Sequence, residues 1–125
     1  MASREQESFA QNNQPSVQER QVKIARLNDQ LRRTYIGGKV VQTCGIARLT
    51  PETQLAVHRA IQEFDDFSDD NDPYSEHDMA GVEVEGHRIF WKIDYYDRDL
   101  RYGSQDPANT EITTRVLTIM LASEY

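Results

Sequence analysis

The sequence predicts an α+β fold, a small antiparallel sheet with a central β-hairpin packed on about three helices. Two observations carry this expectation. Stretches with apolar residues three and four apart are interspersed with stretches of apolar–polar alternation, the periods of helix and strand respectively. And the pair Gly86-His87 separates two alternating runs of matched length, as the loop of a two-residue hairpin would.

Residues 1–15 are polar, rich in Gln, Asn and Ser, and lack periodicity. They read as a disordered tail ending near Pro15, followed by a single domain over residues 16–125. From Ser16 to about Tyr35, Ile24, Leu27 and Leu31 fall on one helical face. Ser16 is placed to cap this helix, with Glu19 completing a capping box, and Gly37-Gly38 ends it. Lys39–Ile46 contains Val40, Val41, Thr43 and Cys44 and reads as a strand stopped by Gly45. A second helix starts at Thr50 as N-cap with Pro51 in its first position. Its stripe is Val57, Ala60, Ile61 and Phe64, and it ends near Phe64, because Asp65 and Asp66 oppose the dipole at a helix C-terminus.

The hairpin register follows from placing Gly86-His87 in the loop. Glu85 then faces Arg88, Val84 faces Ile89 and Val82 faces Trp91. One face collects Val82, Val84, Ile89, Trp91, Ile93 and Tyr95, and the other the charged residues with Phe90 and Tyr96. Thr110–Tyr125 exceeds ten residues and lacks alternation, with Val116, Leu117, Met120 and Leu121 at helical spacing, so it reads as a third, mostly buried helix.

The formal charge of −7 is local. Asp65–Asp78 holds seven acids and no Lys or Arg, while the remaining 14 acids are balanced by 14 bases. A chain without a basic footprint is not expected to bind nucleic acid directly. No apolar run approaches the roughly 20 residues of a membrane span, and the N-terminus has no apolar h-region, so a cytoplasmic protein is expected. The single cysteine, Cys44, suits a reducing compartment and reads as a small strand residue.

Two constellations offer chemistry. Extending the hairpin register sets His77 opposite Tyr96 and brings His77, Asp94 and Tyr96 to one polar face, where an imidazole, a carboxylate and a phenol are the parts of an acid–base site. The acidic segment presents Asp69, Asp70, Asp72 and Glu76 as a binding surface. Its spacing does not match a calcium loop: with Asp66 as first ligand, Asn71 replaces the turn glycine and His77 the bidentate glutamate. No metal site and no cofactor are expected, since Walker, GxGxxG, GxSxG and HExxH patterns are all lacking.

The runs FDDFSDDNDPYSEHD (Phe64–Asp78), WKIDYYD (Trp91–Asp97), GSQDP (Gly103–Pro107) and TTRVLTIMLASEY (Thr113–Tyr125) occur in that order. Together they resemble a small family of uncharacterised bacterial proteins, a domain of unknown function common in alphaproteobacteria and often carried on plasmids and mobile elements. The resemblance covers Leu27–Tyr125 and implies a bacterial cytoplasm and an accessory gene, with no site residues attached. The expected function is a small acidic protein-binding module that modulates or inhibits a host or plasmid protein through that partner's basic surface. The alternative is a small enzyme using His77, Asp94 and Tyr96, with or without a metal.

Overall fold

The computed structural model describes residues 16–125, so the expected tail lies outside the described residues. The elements in order are helix α1 (Val17–Thr34), strand β1 (Lys39–Gln42), the short helix α2 (Cys44–Ala47), helix α3 (Pro51–Glu63), strands β2 (Met79–Val84), β3 (His87–Tyr96) and β4 (Thr114–Leu121), and a terminal 3₁₀ turn (Ala122–Glu124). The fold is α+β. Its sheet is mixed rather than antiparallel, in the order β1-β4-β3-β2, because β1 runs parallel to β4.

Both expected helix starts form. Ser16 Oγ accepts from the Glu19 amide at 3.0 Å and Thr50 Oγ1 from the Thr53 amide at 3.1 Å, each satisfying a donor of the first turn. The C-terminus of α1 is closed by Tyr35 in the left-handed conformation (φ 62°), its amide bonded to the Leu31 carbonyl, two residues before the glycine pair.

Three further expectations are corrected. The C-terminal run is strand β4 rather than a helix. It lies between β3 and β1, with Leu117 and Ile119 fully buried on one face and Met120 buried on the other, so apolar residues fall on both faces and blur the apolar–polar alternation of a half-exposed strand. The hairpin loop is Glu85-Gly86 rather than Gly86-His87. Both loop residues have positive φ (49° and 82°), a twist that matches the flanking strands. Val84 therefore faces His87, Glu83 faces Arg88 and Ala80 faces Trp91. Each β2 residue meets a partner two places earlier on β3 than expected, and an even shift keeps every side chain on its face. Val84, Ile89, Trp91 and Ile93 are accordingly buried together. Finally, the strand at Lys39 stops at Gln42, and Cys44 is exposed at the start of α2.

The core lies on one side of the sheet. Leu31 of α1, Ile46 of α2 and Val57 and Ile61 of α3 pack on Ala80, Val84, Ile89, Trp91, Ile93, Leu117 and Ile119. Trp91 is fully buried, with Phe64 and Phe67 edge-on to it at 6.0 and 6.2 Å. Phe90, Lys92, Asp94 and Tyr96 point to the opposite face of β3 by the strand period, and Tyr125 closes edge-on over Phe90 at 4.7 Å.

Candidate functional site

Helix α1 carries polar residues inside its apolar stripe. Asn28 and Arg32 are both completely buried, on the same face as Ile24 and Leu31. Buried polar groups persist only where their bonds are satisfied, so these two residues organise what surrounds them. The Arg32 guanidinium closes the C-terminus of α3. Nη1 donates to the Ile61 carbonyl at 2.9 Å and the Phe64 carbonyl at 2.6 Å, and Nη2 donates to Asp29 Oδ1 at 2.9 Å. A cation at this helix end meets its negative pole. The rings of Phe67 and Trp91 lie 5.3 and 5.4 Å away.

Asp29 also receives His77. The imidazole Nδ1 is 3.0 Å from both Asp29 oxygens, and Nε2 is 3.6 Å from Asp72 Oδ2. The ring stacks on Phe67, centroids 4.0 Å apart and planes 3° from parallel. His77 has φ 55° and Ser75 φ 57°, so the chain between them is bent through two left-handed residues. Asp72 holds that bend: it is only 5% exposed, and its Oδ1 accepts the amides of Glu76 and His77 at 3.1 Å each. The result is an imidazole between two carboxylates, beside a groove of about 610 Å³ to which Arg26, Asp29, Arg33, Ser75 and His77 contribute. Such an imidazole is oriented by Asp29 through Nδ1 and lies at the wall of the groove.

A second network leaves Asn28. Its Nδ2 donates to the Glu76 carbonyl at 2.9 Å and to Tyr95 Oη at 2.7 Å, and Tyr95 in turn donates to Glu76 Oε1 at 2.9 Å. Burial pushes the Tyr95 phenol well above its ordinary value and raises the Asp78 carboxyl, with Glu76 adding to both. The Asn28 Oδ1 accepts from Nε of Arg115, a residue only 3% exposed.

The structure divides the residues expected to act together. His77 sits on the helix side of the sheet with Asp29, whereas Asp94 and Tyr96 lie on the other side. The shifted register pairs Met79 with Lys92 rather than Asp94, and the strand pairing ends before His77. Asp94 instead accepts from Lys92 Nζ at 2.6 Å, a bond that raises the lysine pKa. Of the acidic loop, Asp69 and Asp70 are exposed, while Asp72 and Glu76 turn inward to hold the chain. Among the described residues no cluster of three or more His, Cys, Asp or Glu is arranged to hold a metal ion.

Sequence reasoning missed Asp29, Asn28, Arg32 and Arg115. The signal for two of them was present, since Asn28 and Arg32 lie four and eight residues after Ile24 on the apolar stripe. Arg115 alternates with Leu117 and Ile119, a strand pattern hidden by the helical reading of that run.

Helix face, bent acidic loop and hairpin together define a small mixed-sheet α+β protein with a polar network under one loop. The chain belongs to the family described as Protein of unknown function (DUF3768), whose model matches residues 42–124. Neither curated proteins nor solved structures yield a match. Among the described residues, no helix is long and apolar enough to cross a membrane.

Proposed function

We propose that this protein is an acidic binding module that docks on the basic surface of a partner protein. One observation carries the reading: the acidic loop is braced from within. Asp72 and Glu76 spend their carboxylates on the loop and on Tyr95, and Asn71 bonds the Ser68 amide and the Asp66 carbonyl. The neighbouring Asp65, Asp66, Asp69 and Asp70 are left exposed on a shaped scaffold. Charges held in place lose less freedom on association, and they steer a cationic partner toward the loop. The four sequence runs shared with a bacterial family support the setting, a cytoplasmic accessory protein of an alphaproteobacterial plasmid or mobile element that modulates a host or plasmid protein.

Affinity purification of the full chain from its native host, followed by mass spectrometry, tests the reading. A stoichiometric partner whose affinity falls on replacing Asp65, Asp66, Asp69 and Asp70 by Asn, with a flatter salt dependence, is the expected result. A partner indifferent to both the replacement and salt rejects the loop as the surface.

A second reading rests on His77. An imidazole oriented by Asp29 beside a groove is the arrangement of a general acid or base, and it supports a small enzyme in which Asp29 and Asp72 take the places first expected of Asp94 and Tyr96. Turnover lost in His77→Gln but retained in Asp94→Asn is its signature.

A further inference from the structure

Arg115 is a buried cation with no carboxylate partner among the described residues. Its Nε donates to Asn28 Oδ1 at 2.9 Å, its Nη2 donates to the Pro107 carbonyl, and the Tyr95 ring lies 5.2 Å from its guanidinium carbon. A guanidinium has five N–H donors. Among the described residues the other three have no acceptor, and no carboxylate pairs with this group. An arginine does not shed its proton to escape this, and burying a charge without a counter-charge is costly.

Beside it is a cavity of about 320 Å³, to which Leu27 and Gln30 of α1, Arg98, Thr110 and Arg115 contribute. Among the described residues its walls hold two arginines and no acid, in a chain whose net charge is −7. Arg98 is exposed, so it stands where a ligand would enter, while Arg115 is the buried floor. Space, unused donors and an unmatched positive charge coincide at one point.

We infer that this cavity binds a small oxyanion, a phosphate or a carboxylate group, held by the free N–H groups of Arg115 and closed from the rim by Arg98. The planar fork of a guanidinium presents paired donors to either group. Thr110 lines the same cavity and offers a hydroxyl as a further donor. Asn28 links Arg115 to the Glu76 carbonyl, but no residue of the acidic loop lines the cavity.

Calorimetric titration of the full chain tests it, using inorganic phosphate, succinate and citrate against chloride at matched ionic strength. Saturable 1:1 binding of at least one of the three is expected, and the order of affinity tells phosphate from carboxylate. Arg115 anchors Asn28 and is a poor target, so two surface variants carry the test. Arg98→Ala removes one charge-assisted contact and weakens binding about tenfold. Gln30→Glu introduces a carboxylate into the cavity and abolishes anion binding while raising the melting temperature of the unliganded protein. Absence of saturable binding by all three anions overturns the proposal, as does binding that both variants leave unchanged.

Discussion

Arg32 and Arg115 are both buried guanidiniums, and the fold neutralises only one of them. Arg32 has Asp29, the carbonyl end of α3 and two aromatic faces, with Nε and the second Nη2 hydrogen lacking an acceptor among the described residues. Arg115 has an amide oxygen, a carbonyl and one ring. Burial lowers the pKa of both, but Asp29 opposes that shift at Arg32 through a direct bond, whereas Arg115 has only the more distant Tyr95 and Glu76. The difference separates two uses of a buried cation. One closes a helix and locks the loop that follows it. The other leaves donor capacity facing a cavity.

Replacing each arginine by Met sharpens this contrast. Arg32→Met leaves Asp29 and the α3 carbonyls without their donor and is expected to cost about 3–5 kcal/mol in urea unfolding. Arg115→Met removes an unmatched charge and orphans only Asn28 Oδ1 and the Pro107 carbonyl, for about 1–3 kcal/mol. Equal costs would erase the distinction between the two sites.

The loop next to Arg32 offers a second contrast, between neighbouring acids. Asp72→Ala leaves the amides of Glu76 and His77 unpaired and should cost about 1–3 kcal/mol. It should also free His77, seen as faster amide exchange across residues 75–78. Asp70→Asn, on an exposed turn, should change stability by less than about 0.5 kcal/mol.

Neutral pairing at the C-terminal cap of α1 sets a limit to these charge effects. Tyr35 Oη donates to His58 Nδ1 at 2.5 Å, and His58 Nε2 is 3.1 Å from Gln42 Oε1, so the ring is held as the neutral Nε2–H tautomer. Burial pushes Tyr35 up from 10.0 to about 12 and His58 below its ordinary 6.5. For Tyr35 the unfolded chain loses its proton first, so its contribution is full below pH 10 and falls as pH rises to about 12. For His58 the unfolded chain gains a proton first, so its contribution is present above pH 6.5 and falls as pH drops below that. Tyr35→Phe should reduce the alkaline slope of unfolding free energy against pH, leaving the part due to Tyr95. An unchanged slope would remove the pair from the account.

Much of the scaffold was legible because its signals are local. Ser16, Thr50 and Pro51 mark helix starts through bonds and dihedrals spanning three residues, and both starts form. The core face of the hairpin was legible because strand alternation survives an even shift of register. The register itself was not: loop choice depends on whether one or both residues adopt positive φ, and Glu85, not His87, shares that role with Gly86. The candidate site suffered most from this. Two places of displacement, with the left-handed bend at His77, separate His77 from Asp94 and Tyr96 and send it to Asp29, 48 residues away in sequence.

The sequence by itself determined where α1 and α3 begin, which hairpin residues face the core, and that the net charge is confined to one loop. All three are set by spacing and composition within a few residues. Only the tertiary structure decided that residues 114–121 form a strand, that β1 pairs with it in parallel, and that Asp72 turns inward while Asp70 does not. These outcomes depend on partners far along the chain. A run with Thr, Val and Ile among its residues becomes a strand when two strand edges are there to accept its backbone bonds. A carboxylate turns inward where unpaired amides and an imidazole await it.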